Sequence, residues 1–431
     1  MDRPAPLISR FWHGYLALLL AFAAGQLGPQ IDLAVLARAG DDGQAGLYAL
    51  LTRLALLELV VTMALGTALS VMASQAQRAG RHGEGLRPAL VLAGALGVPL
   101  GLLGALAGLG LLPMLLHSKA AQLPEVMAAL PWFFLATPLR LLNGCAGLLL
   151  HARGEGRQAL RIKGVELLAR LVLDLALVLG LGAGLSGCFI AGLLLNLGTC
   201  AWLLRHLARA SPGQPWRPRW AWCRQALLHS GWESQRVLAI QAFGLAAVTL
   251  VAMDRPWPES AGRLDGFSTV LTLGMLVLSP LNALLRFLAL RLAAGDPVAI
   301  RDEVQRRALP VAAVASVGLL LATQALGQLY GQSGPWWTAG LLLLALSLPL
   351  RVLGNLQRAQ YQAAGRFAEV GRLEAAALWL VGLPVLLAGL ALDCPPLAYA
   401  YLLLPELCVI TGLHSRKAWA SLAGPGEHPE G

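Results

Sequence analysis

The chain has 431 residues, 57% of them hydrophobic and only 13% charged, with a formal net charge of +10 and a mean hydropathy of +0.64. A chain this apolar cannot turn its helices to water, which excludes a soluble enzyme or binding module and implies an all-α polytopic membrane protein. No GxxxxGK[ST] phosphate loop is present, so any transport would be gradient-driven or an equilibrating flip.

Runs reaching the roughly 20 apolar residues that cross a bilayer predict twelve spans: 14–36, 47–72, 89–116, 126–150, 164–181, 184–204, 232–253, 266–290, 309–330, 337–360, 375–392 and 395–413. Arg3 and Arg10 ahead of an apolar run ending Ala21-Phe-Ala-Ala could be a cleaved signal peptide. The even span count needs that run, so it reads as an uncleaved first helix. Basic residues then alternate sharply. One side holds Arg78, Arg81 and Arg87, then Arg153 to Lys163, the stretches 205–224 and 291–307, Arg366 with Arg372, and Arg416 with Lys417. The other side holds only Arg38, Lys119, Arg255 and Arg263. The positive-inside rule places both termini in the cytoplasm, here of a bacterial inner membrane.

The longest polar stretch divides the spans six and six. It gives an N-terminal lobe 1–204, a basic linker 205–230, a C-terminal lobe 231–415 and a cytoplasmic tail 416–431. Within the linker, Trp216, Trp220 and Trp222 alternate with Arg217, Arg219 and Arg224. They read as anchors at the lipid headgroups rather than a nucleic-acid surface. The expected partners are the bilayer and a small organic substrate, with the chain a monomer. Six cysteines and eight histidines are scattered without CxxC or zinc spacing, so neither a disulfide framework, a metal site nor a cofactor is expected.

The halves share a phrase. Pro138-Leu139-Arg140, continuing to Asn143, Gly144 and Gly154, recurs as Pro349-Leu350-Arg351, continuing to Gly354, Asn355 and Gly365, an offset of 351 − 140 = 211 residues. Equal spacing and equivalent placement in a span imply two related six-helix lobes with a substrate path near the midplane.

Longer patterns resemble the multidrug and toxic compound extrusion (MATE) transporters. Asp32-Leu-Ala-Val-Leu-Ala-Arg-Ala-Gly40 is similar to the family's first-helix aspartate with its trailing glycine. Ala73-Ser-Gln-Ala-Gln-Arg-Ala-Gly80 resembles its Q-A-x-G-A-G type turn, and the stretch from Gly144 to Gly156 its L-x-G-x-G-D turn. Leu171-Val-Leu-Asp174-Leu-Ala-Leu-Val-Leu-Gly180-Leu-Gly182 resembles its N-I-x-L-D-x-x-x-I-F-G-x-G helix. The resemblance implies a two-lobed secondary transporter that exports by alternating access, with Asp32 and Asp174 as the carboxylates that couple to H+ or Na+. The chain departs from the family at three places. The usual asparagine four residues before the second aspartate is Arg170, the seventh-helix glutamate is Gln241, and the aspartate after the tenth-helix proline is Leu350.

Read without the family, each charge inside a span costs roughly 2.5–3.5 kcal/mol at a helix centre, so it must pair, line water or snorkel. Asp32 has no basic residue within one turn on its own helix, the mark of a proton or cation site. Glu166, Arg170 and Asp174 are spaced by four and stack on one helix face, where Arg170 would either neutralise Asp174 or fix its resting charge. Arg140 and Arg351 either pair with acids on neighbouring helices or present guanidinium forks to an anionic substrate. Arg170, Gln241, Asn196 and Asn355 complete the expected cavity lining. Glu58, Glu233, Arg236 and Arg358, near predicted span ends, can serve as interfacial anchors. Flipping of lipid-linked saccharides is the alternative within transport. A non-transporting scaffold is a weaker one, and a membrane enzyme is disfavoured because no catalytic set clusters near one interface.

Overall fold

The computed structural model describes residues 7–39, 44, 47–48, 51–52, 56–81, 83–115, 123–211, 213–253, 257–258, 262–295 and 297–414. The predicted tail 416–431 and the intramembrane Arg53 lie outside them. The described residues are helical and contain no strand. They divide into two compact units, Met1–Ser230 and Gly231–Gly431.

Unit 1 begins with α1 (Leu7–Arg38), α2 (Leu56–Arg78), α3 (Leu86–Leu115) and α4 (Leu123–Leu135). It continues through α5 (Thr137–Ala152), α6 (Gly156–Asp174, prolonged by a π turn Leu175–Gly180) and α7 (Gly184–Arg209). Helix α8 (Trp220–Ala252) leads from unit 1 into unit 2. The polar stretch 205–230 is therefore largely helical, with a turn between α7 and α8 that Arg87 clamps by donating to the carbonyls of Ala208 and Gln214.

Ten helices are long and apolar enough to cross a membrane, or eleven when the bent pair α4 and α5 counts as one span. The 41° bend at Ala136 follows from Pro138, whose missing N–H leaves the Phe134 carbonyl without its helical donor. Helix α6, the predicted fifth span, is too charged to pass on composition, yet it and its π turn form one continuous element. The predicted ninth span begins earlier than expected. The helix there starts near Pro297, because Arg307 pairs with Glu303 at 3.3 Å within it and lets a charged turn remain helical.

Close helix approach in unit 1 uses two GxxxG steps of α3, Gly97 to Gly101 and Gly104 to Gly108. A Cβ on Gly97 would lie 2.4 Å from Pro138, and one on Gly104 would lie 2.2 Å from the Phe134 ring. Small residues here seat α3 directly on α4 and α5. One core joins Leu65, Leu90, Leu141, Leu149 and Leu203; a second joins Leu36, Leu130, Phe134 and Phe189.

Unit 2 continues with α9 (Arg263–Ala294), α10 (Pro297–Glu303), a π turn Val304–Ala308, α11 (Leu309–Leu321) and α12 (Thr323–Tyr330). The long α13 (Pro335–Ala363) and α14 (Phe367–Ala377) follow, the latter passing through a π turn Leu378–Gly382 into α15 (Leu383–Ala391). Helix α16 (Pro395–Tyr399), a 3-10 turn Ala400–Leu402 and α17 (Leu404–Leu413) close the unit. Pro349 interrupts α13, and Ser316 compensates nearby by donating its hydroxyl to the Ala345 carbonyl at 2.6 Å, the acceptor that Pro349 leaves unbonded. Outward-facing leucines such as Leu102, Leu106, Leu321 and Leu380 are well exposed, as expected of a multi-pass membrane protein whose outer face meets lipid.

Candidate functional site

Asp32 is fully buried on α1, three residues after Pro29. Its charge is met from another helix. Arg170 on α6 donates from Nε to Oδ1 and from Nη2 to Oδ2, and the Tyr48 hydroxyl also donates to Oδ2. The guanidinium packs against α1 at Gly28, where a Cβ would sit in ordinary van der Waals contact, 3.4 Å from Arg170 Nη1. The Tyr48 ring stacks on Phe189 at 5.5 Å, which fixes the hydroxyl. Arg170 therefore directs its hydrogen bonds to Asp32 on another helix rather than to Asp174, its neighbour one turn along α6. Glu166 turns to Lys163 instead, at 2.7 Å.

Asp174 ends α6 at the start of the π turn, a local widening that often marks functional positions. It is fully buried, and neither carboxyl oxygen has a hydrogen-bond partner among the described residues. It shares this buried cluster with Asp32. Two carboxylates cannot bond to each other, whereas a carboxyl and a carboxylate can, so a bond between these two would require a proton. Beside the cluster a cleft of about 60 Å³ opens between α1 and α6, with Gly25, Gly28, Lys163 and Arg170 on its walls. That is room for water or a small cation.

A second cluster in unit 1 fixes Arg140. Its Nη2 donates to Glu58 Oε2 at 2.6 Å and to Thr137 Oγ1 at 3.0 Å, its Nε donates to Glu58 Oε1, and its Nη1 donates to the Phe133 carbonyl at 2.9 Å. Thr137 itself donates to Glu58 at 2.7 Å. Every edge of the guanidinium is engaged, so of the two roles weighed for Arg140 the geometry supports pairing. Asn196 is likewise structural, accepting from Asn143 Nδ2 at 3.0 Å and donating to the Gly192 carbonyl at 2.7 Å.

Unit 2 holds a larger buried network. Arg236 forks onto Glu233 at 2.7 and 2.9 Å and reaches Glu374 at 3.1 Å; Arg358 forks onto Glu406 at 2.6 and 2.9 Å and reaches Glu374 at 3.2 Å. Gln362 donates to Glu233 at 3.0 Å, and Asn355 accepts from Arg358 at 3.4 Å while donating to the Leu281 carbonyl at 2.8 Å. Glu58, Glu233, Arg236 and Arg358 are thus buried in ion-pair networks rather than acting as interfacial anchors. Gly354 makes room for the network, because a Cβ there would fall 1.8 Å from Glu406 Oε1. Gln241 is exposed on α8. Arg351, on α13, has no hydrogen bond or ion pair among the described residues, and its Nε is sealed from solvent.

Sequence reasoning missed Tyr48, Glu374 and Gln362. Glu374 carried a signal: unit 2 needed another internal acid to offset its buried arginines.

No protein-family model matches the sequence, and no curated protein sequence matches it. Solved structures do. A Vibrio cholerae MATE transporter, VcmN, in its bent form is 16% identical, covers 96% of each chain and superposes with a TM-score of 0.80. The eukaryotic MATE transporter AtDTX14 is 16% identical, covers 96% of this chain and 98% of its own, and gives a TM-score of 0.74. At such identity the likeness establishes architecture: the chain has the fold of the MATE transporters.

Proposed function

We propose that this protein is a secondary-active exporter of a small organic molecule, driven by inward movement of H+ or Na+ through the Asp32–Asp174 pair. The observation that carries the reading is the charge count of the buried cluster. One arginine faces two carboxyls, so the cluster is neutral with one bound proton or monovalent cation and carries a net negative charge without it. A buried net charge is costly, so binding and release of that ion change the energy of the surrounding helices. Pro29 supplies the mechanical link. Lacking an N–H, it weakens α1 at the turn before Asp32, and a change in charge at Asp32 bears on how α1 bends there.

The same reading takes the chain to alternate between inward- and outward-open states in a bacterial inner membrane, with both termini cytoplasmic and no catalytic chemistry. MATE transporters have been solved in bent and straight conformations, which accords with a chain that changes shape as it works. The test is efflux or uptake in proteoliposomes under imposed pH or sodium gradients. Gradient-dependent transport by the parent and its loss in Asp174→Asn support the reading; full coupling in Asp174→Asn would defeat it.

A further inference from the structure

The repeated arginines have diverged in their partners. Arg140 is held by Glu58, which stands on α2, the helix against which α5 packs. Arg351 occupies the equivalent place on α13, which packs against α9, and α9 carries no acidic residue from Gly266 to its end at Ala294. Glu374 lies within electrostatic range of Arg351. Its two oxygens are already taken by Arg236 and Arg358.

Arg351 is residue 17 (351 − 335 + 1) of the 29 in α13, far from either end, so its head cannot snorkel to a headgroup region. The residue is only half-buried. Its terminal nitrogens therefore meet open space, while Nε is buried without an acceptor. A guanidinium that deep in the membrane with no partner faces water or a counter-ion, and functional charge is the ordinary explanation of such a residue. Tyr401 lies within electrostatic range of it, and the Tyr401 ring is 5.3 Å from Phe243, which meets Trp379 edge-on at 6.1 Å.

We infer that Arg351 is an oxyanion-binding residue of unit 2, taking a carboxylate or phosphate-type group carried on an apolar or aromatic body. The planar fork supplies two parallel donors to such a group, and Tyr401 with Phe243 and Trp379 supplies apolar contact. The inference rests on the export reading only in taking this occupant as transported cargo.

Binding of 2-naphthoate to the purified full chain in detergent, with no gradient, tests it. Saturable binding is expected in the parent, about 10-fold weaker or more in Arg351→Gln, partly restored in Arg351→Lys, and unchanged in Arg224→Gln, an exposed arginine of α8. Arg351→Gln breaks no bond, so its melting temperature should match the parent's. Competition by phosphatidylglycerol, but not phosphatidylcholine, in nanodiscs identifies a lipid phosphate as the source of the oxyanion; no competition leaves a soluble organic anion. Absence of saturable binding in the parent, equal affinity in Arg351→Gln, or an equal loss of binding for the cationic analogue 2-naphthylmethylammonium would overturn the assignment. A failure of ion coupling would show only in the proteoliposome assay, with naphthoate binding intact.

Discussion

From sequence, Asp32→Asn is expected to abolish transport while leaving the protein folded, because it removes an apparently isolated charge that is costly to bury, and Asp174→Asn to do less unless Arg170 is also neutralised. The structure reverses the ranking for stability. Asp32 accepts two bonds from Arg170 and one from Tyr48 at a fully buried position. Its replacement breaks a buried, doubly hydrogen-bonded ion pair and the Tyr48 bond with it, at a cost of about 3–5 kcal/mol. At about 2–4 °C per kcal/mol for a unit of this size, the melting temperature should fall by about 6–20 °C. Asp174 accepts no hydrogen bond from any described residue, and an asparagine there can donate to Asp32. Asp174→Asn should therefore melt within about 2 °C of the parent and lose gradient coupling, whereas Asp32→Asn loses both folded yield and transport. Melting of detergent-purified protein, read beside proteoliposome transport, separates the effects. A parent-like melting temperature for Asp32→Asn would refute the pairing on which the proposed mechanism depends.

Arg140→Gln should lower thermal stability by about 3–5 kcal/mol by stranding Glu58, while the surviving protein keeps its preference between anionic and cationic compounds in a competition assay. Gly354→Ala should cost a similar amount, since the new methyl would displace Glu406 from Arg358; the yield of monodisperse protein on size exclusion reports it. At the loop between α5 and α6, burial pulls Glu155 upward, but hydrogen bonds from His206 and Arg153 prevail and hold it below its ordinary value of 4.5. A depressed folded pKa stabilises above the unfolded value and is lost as pH falls through the folded one. Glu155→Gln should thus melt below the parent at neutral pH, and the difference should fade as pH drops beneath 4.5.

Length, hydropathy and loop charge were enough to read an all-α membrane protein with spans near the observed helices, because crossing a bilayer demands long apolar segments whatever their packing. The two lobes were legible in the arginine phrase, and Asp32 and Asp174 stood out because charge inside an apolar run is costly wherever the helix lies. Partner choice was not legible. Arg170 lies one turn from Asp174 on α6, yet it bonds Asp32, 138 residues away in sequence, because its guanidinium lies against α1. The identical phrases around Arg140 and Arg351 gave no hint that one is fully paired and the other open. That difference resides in the facing helices, where α2 offers Glu58 and α9 offers no acid beyond Asp265 in its first turn, and only the tertiary structure brings those faces together.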